Sequence, residues 1–154
     1  MAGSVSMMLR RLIVLPLMLP WAAMAADGAA LYAERCAVCH QAQGQGIEGH
    51  APPLTGMEAW LATGEGRSYI ARAVVHGLAG PITVRGQPYS ALMLTFRWRL
   101  QDEQLVAVLG YVAETLNHPA AGYRPIDLET LRAARAASGR DADTLALRAQ
   151  LPAR

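Results

Sequence analysis

Residues 36–40 read Cys36-Ala37-Val38-Cys39-His40, and they contain both cysteines of the chain. Two thiols at this spacing at the end of a helix can each form a thioether with a vinyl group of a haem. The imidazole that follows is then held under the iron as the proximal ligand. Three other uses of the spacing fit less well. A thioredoxin-like dithiol follows a strand, whereas the residues before Cys36 read as helix. Structural zinc needs four ligands; His50 is at hand, but there is no second cysteine pair. A disulfide across two intervening residues closes a loop too short to staple much.

The residues around the motif fit a prosthetic group at the centre of a small helical domain. The 154 residues are 53% hydrophobic and 17% charged, with a single Phe. This is one domain's worth of chain. Ala and Leu must otherwise fill most of a core that also carries long loops, which need something to pack on. Asp27 caps a helix running to Glu34 and Arg35. From Gln41 to Leu54 the chain reads as loop, with Gly44, Gly46 and Gly49, and Pro52-Pro53 stiffening its exit. Thr55 with Glu58 predicts a capping box opening a short helix to Leu61. Ser68 is expected to cap a helix from Tyr69 to His76, ended by Gly77. Residues 78–88 contain Gly80-Pro81 and Gly86 and read as loop. Asp102 and Glu103 then open the clearest amphipathic stripe, Leu105, Val108, Leu109, Val112 and Leu116, which His118-Pro119 ends. Beyond it Asp127 caps one further helix, and Asp141–Gln150 is an Ala- and Arg-rich piece with a weak apolar face. Four helices before the tail, with almost no strand pattern, predict an all-α fold.

Upstream of Asp27, Arg10-Arg11 are followed by uncharged residues from Leu12 to Ala26, with Ala23-Met24-Ala25 near the end. A basic start, an apolar run and a small-x-small site form a secretory signal peptide, residues 1–25. The run is short of the roughly 20 residues a membrane-spanning helix needs, so no stable membrane insertion is expected after cleavage. Export agrees with the motif, since this haem is attached outside the cytoplasm; a periplasmic location follows. All 14 basic residues of the chain are Arg. Without Arg10 and Arg11 they balance the 12 acidic ones, leaving no basic stripe for nucleic acid.

The sixth iron ligand must come from elsewhere. After the signal peptide the chain offers Met57, Met93, His50, His76 and His118. Position alone leaves Met57 and Met93 both open: Met57 starts a short helix, and Met93 follows a long loop and precedes Phe96 and Trp98.

The sequence resembles the class I cytochrome c family, above all small bacterial members that serve periplasmic dehydrogenases. The match runs from Gly28-x-x-x-Tyr32-x-x-x-Cys36 through His40, Gly44-x-Gly46, Pro52-Pro53-Leu54 and Tyr89-x-x-x-Met93. It ends at Leu100-x-Asp102-Glu103 and Val108-x-x-Tyr111-Val112. The resemblance implies a helical domain, residues 26–118, wrapped around one covalently bound haem c, with a C-terminal helical extension, 119–154, of open order. It implies His40 as proximal and Met93 as distal ligand, and Pro52 as the carbonyl that accepts the far imidazole proton. It also implies that the face of Gly28 and Tyr32 crosses the last core helix near Val108 and Tyr111. Tyr89 falls inside the matching stretch and is a candidate for contact with the haem. Arg72, Arg85, Arg97, Arg99, Tyr69, Trp60 and Trp98 are weaker candidates for propionate contacts or ring packing. One departure stands out: the family commonly has Pro after the ligand Met, and here Leu94 takes its place, which predicts a less restrained ligand loop.

The expected function is a one-electron carrier, not an enzyme, between a periplasmic dehydrogenase or quinol-oxidising complex and a terminal oxidase or reductase. The alternatives are a dedicated cytochrome subunit of a dehydrogenase complex, and a haem enzyme or gas-binding protein with a weak sixth ligand. If residues 1–25 are a cleaved signal, N-terminal sequencing of periplasmic protein will begin at Ala26; recovery only in detergent with 1–25 intact would show an anchor instead.

Overall fold

The computed structural model describes residues 26–154; the expected signal peptide lies outside the described residues. Seven helices and one small hairpin make up the described chain, so its core is all-α, as the sequence predicts. No described helix is long and apolar enough to cross a membrane.

Helix α1, Gly28–Arg35, begins where Asp27 accepts from the N–H groups of Ala29 and Ala30 at 3.0 and 3.1 Å. It stops at Cys36, and the single turn α2, Ala37–His40, follows. Helix α1 lies across α5, Asp102–Glu114. The contact is close because Gly28 has no side chain: a Cβ there would sit 2.1 Å from the Ala107 carbonyl oxygen. Tyr32 is buried beside it, its ring 5.2 Å from that of Tyr111, and its hydroxyl donates to Gln41 O at 2.7 Å. Helix α5 starts in a capping box between Gln101 and Gln104, with Asp102 and Glu103 favouring the positive end of the helix dipole. It buries Leu105, Val108, Leu109 and Val112.

Between these helices the structure departs from several local expectations. The single turn α3, Glu58–Leu61, has Met57 as its N-cap and no side-chain cap. Thr55 does not form the expected box; its carbonyl accepts from Arg85 instead. Helix α4, Gly64–His76, starts five residues before the expected Tyr69, because Thr63 accepts from Gly66 N and outcompetes Ser68, which lies inside the helix. Gly77 ends it with φ at +79°. Residues 78–88 hold a hairpin, not only loop: β1, Ile82–Val84, pairs antiparallel with β2, Gln87–Tyr89. Three-residue strands are too short to show alternation, and Pro88 disguises the second. Arg85 and Gly86 turn it with φ of +52° and +78°, the pair of positive values a two-residue hairpin turn needs.

After His118 the chain forms α6, Leu128–Ala136, and α7, Asp141–Arg148. Both pack on α4, and α6 also on α5. Asp127 caps α6 through Thr130. Arg135 joins α6 to the start of α5, with Nε 2.5 Å from Asp102 Oδ1 and Nη1 donating to Arg97 O at 2.7 Å.

The Gly28 contact has a measurable consequence. Helix propensity favours Ala over Gly by up to about 1 kcal/mol, but here the added methyl meets a main-chain oxygen. Gly28→Ala should therefore destabilise the protein by about 1–3 kcal/mol, the usual range for overpacking. A lower urea midpoint at unchanged slope is the expected readout.

Candidate functional site

The ends of α1 and α2, the loop 41–57, α4, the hairpin and α5 surround one cavity of about 220 Å³ with mainly apolar walls. Cys36, Cys39 and His40 line it on one side; Met57, Tyr89 and Met93 are also on its walls.

The motif residues are set by the break between α1 and α2. His40 is buried, and its Nδ1 is 2.9 Å from Pro52 O. A carbonyl only accepts, so Nδ1 carries the proton and Nε2 keeps a free lone pair. Burial pushes the imidazolium pKa down, against the opposing pull of the Pro52 bond; the neutral ring is the ligand form. Burial, then Cys39 nearby, pushes the Cys36 thiol up to about 11. Both cysteines are free. A thiol held protonated is a poor redox nucleophile, and α1 rather than a strand precedes it, so a thioredoxin-like centre does not fit. No group of three or more metal-ligating side chains of the His, Cys, Asp or Glu type occurs among the described residues.

The loop that carries Pro52 is anchored by Asn117, a residue sequence reasoning overlooked. Its buried side chain accepts from Met57 N at 2.7 Å and donates to Leu54 O and Val112 O at 2.7 and 2.8 Å. One amide thus ties the loop to the end of α5. A lone Asn before His-Pro carries no signal of this in the sequence.

Met93 lies on a strap, residues 93–97, bonded to the end of α4. Met93 and Leu78 exchange main-chain bonds at 2.9 and 3.1 Å. Phe96 N and Arg97 N donate to Val74 O and Val75 O at 3.0 and 3.2 Å, and Thr95 Oγ1 donates to Val75 O at 2.6 Å. Gly77 permits the approach, since a Cβ there would be 2.6 Å from Met93 O. These bonds give the strap a restraint that Leu94, 54% exposed, does not.

The other candidates divide. Trp60, Tyr69 and Tyr89 are buried on the cavity wall, but the Trp60 indole N–H is taken by Pro152 O at 2.8 Å. Arg72, Arg85, Arg97, Arg99 and Trp98 are not on that wall; Trp98 is 82% exposed, with Arg97 over its ring. The cavity instead takes Arg148 and Arg154 from the tail, about a hundred residues from the motif, where nothing in the sequence pointed. His76 is engaged by Ala134 O at 2.7 Å. His50 reaches the wall from the loop that also carries Pro52.

The cytochrome c family model matches residues 25–116. The chain belongs to the cytochrome c family. Cytochrome c-552 of Thermus thermophilus is 40% identical over 114 residues, covering 72% of this chain and 86% of the relative. A second cytochrome c-552 of the same species is likewise 40% identical, over 72% of this chain and 76% of its own length. A gluconate 2-dehydrogenase cytochrome c subunit from Pantoea cypripedii is 31% identical over 88 residues, 55% of this chain and 19% of that protein. Family and cysteine spacing together make this cytochrome c a c-type haem-binding electron-transfer protein.

Asn117 offers a test of how the site is held. Asn117→Ala would leave Met57 N–H, Leu54 C=O and Val112 C=O without their partner. At about 1–3 kcal/mol for a buried polar group left unpaired, the variant should lose roughly 3 kcal/mol, and amide exchange should rise first at Leu54–Met57.

Proposed function

We propose that Cys36 and Cys39 carry one haem c through two thioethers, with His40 Nε2 and the Met93 sulfur as axial ligands, and that the protein is a periplasmic one-electron carrier. Residues 26–118 form the haem domain in this reading, 1–25 the export signal and 119–154 an extension. The observation that carries it is the arrangement of His40. Its ring is buried on the cavity wall that also carries the two thiols, Pro52 O fixes its tautomer, and Met93 stands on the wall of the same cavity. Bound there, haem would supply an Fe(III)/Fe(II) couple, and a Met ligand with apolar burial favours the reduced state.

The chain's own residues do the rest. Pro52 O orients the imidazole and raises its basicity. The strap bonds hold Met93 against α4 without the family's proline. Met57 lines the same cavity and is the competing candidate for the ligand role. Val38, Leu92 and Leu94 line the cavity and are also 73%, 66% and 54% exposed. Such a rim, apolar at these three positions, suits brief contact with redox partners. Those partners are a dehydrogenase or quinol-oxidising complex on one side and a terminal oxidase or reductase on the other. The name of the Pantoea relative, a dehydrogenase's cytochrome subunit, favours a second reading, a dedicated subunit of such a complex.

The exported protein should weigh one haem more than its polypeptide. Met93→Ala should abolish the weak thioether–iron(III) absorption at the red end of the visible spectrum and lower the potential. An unchanged spectrum, with the loss transferred to Met57→Ala, would move the ligand to Met57.

A further inference from the structure

Residues 148–154 bring two guanidiniums into the cavity. Arg148 Nε and both Nε and Nη1 of Arg154 are buried without a hydrogen-bond partner. Among the described residues the ion pairs are Arg35–Glu34, Arg135–Asp102 and Arg140–Asp143; neither tail arginine belongs to one. Both converge on Trp60, their guanidinium carbons 5.4 and 4.8 Å from its ring centroid.

The arrangement is built and not frayed. Arg148 Nη2 donates to Thr83 O at 2.6 Å, and Arg154 Nη2 donates to Pro53 O. The main chain is pinned as well: Pro152 O accepts from Trp60 Nε1, and Arg154 O accepts from Arg85 N at 2.5 Å. Each guanidinium therefore has one arm fixed and N–H groups left over inside the pocket.

Buried N–H groups of a charged fork are costly unless something accepts from them. Two like charges side by side, with Arg85 beside them, add to that cost, and Glu58 and the Tyr69 hydroxyl are the opposing titratable groups that face them. Burial above all, then Arg85, pushes the Arg154 pKa down to about 10, so the group is still charged at neutral pH. An anion that offers carboxylate oxygens to both forks removes the penalty, and a guanidinium matches a carboxylate in a bidentate fashion. The haem of the proposed function carries two carboxylates on one edge of an apolar ring. Of the three arginines on the apolar wall, Arg35 is paired with Glu34, and the other two match the carboxylates in number and sign.

We infer that Arg148 and Arg154 bind the haem propionates, so that the tail, beyond the stretch matching the family model, completes the cofactor site. The inference rests on the haem reading above. Two consequences follow from charge alone. Positive charge beside the ring disfavours the more positive Fe(III) state, so removing it lowers the potential. A guanidinium beside a propionic acid also keeps it ionised. Removing the guanidinium raises that acid's pKa, and the potential then falls as pH rises through it.

The test uses the holoprotein and its R148Q, R154Q and double variants, with the haem mass and the thioether–iron absorption checked in each. Loss of haem mass from the wild type itself would strike the haem reading and not this assignment alone. With haem and ligands intact, the potential should fall in each single variant and further in the double. A pH dependence absent from the wild type between pH 5 and 8 should appear in the double variant, matched by a raised propionate pKa in ¹³C NMR of labelled haem. Potential and propionate pKa both unchanged in an intact double variant would overturn the inference. So would a wild-type potential that tracks phosphate concentration and ceases to do so in the variants, which would assign the arginines to a solution anion. If the double variant yields no holoprotein, the single variants decide. A raised propionate pKa and a lower potential in either supports the inference, and both unchanged in R148Q and in R154Q overturns it.

Discussion

The close crossing of α1 over α5 is the contact that sets the geometry of the site. With no Cβ at Gly28, the two main chains meet at the Ala107 carbonyl, and Tyr32 and Tyr111 pack beside the contact. That fixes where α1 ends. The two cysteines and His40 follow at once, so they are placed over the Val108, Leu109 and Val112 face of α5. A short motif can thus be positioned by one helix–helix contact several residues away, without being rigid in itself.

A site lined by loops needs those loops held, and here the holding is mostly polar and indirect. Asn117 reaches from the end of α5 to both Leu54 and Met57. The strap carrying Met93 is bonded to the last turn of α4 through Val74 and Val75, and to Leu78 just beyond it. Each set uses main-chain groups that would otherwise be left unpaired inside the protein, so satisfying the backbone and shaping the cavity are one task. The same logic explains how the strap can be held with Leu94 where the resemblance implies proline. Proline narrows the conformations of the free chain, whereas these bonds restrain the folded one.

The tail is a structural partner of this core. Arg135 bonds the start of α5 and the end of the strap region, Ala134 O engages His76, and Pro152 O takes the Trp60 indole. Polar groups of the core find their partners in residues 128–154, so the extension is bonded to the elements that wall the cavity.

The chemistry and the helical class are legible in the chain before any folding is considered. Cys36, Cys39 and His40 are neighbours in the chain, so their spacing is readable without a fold, as are the Asp27 cap and the stripe of α5, which are set within a few residues. The caps at Thr55 and Ser68 are misjudged from sequence, because several residues there can each cap locally and packing chooses among them. The hairpin escapes it too, since its strands are too short to carry a period. What lies against what is settled in three dimensions: the Pro52 carbonyl on His40, Asn117 on Met57, and Arg148 and Arg154 on the cavity wall. These pairs are separated by twelve to about a hundred residues. A hydrogen bond between groups so far apart leaves no periodicity or composition to read, since it depends on where two chain segments come to rest in space.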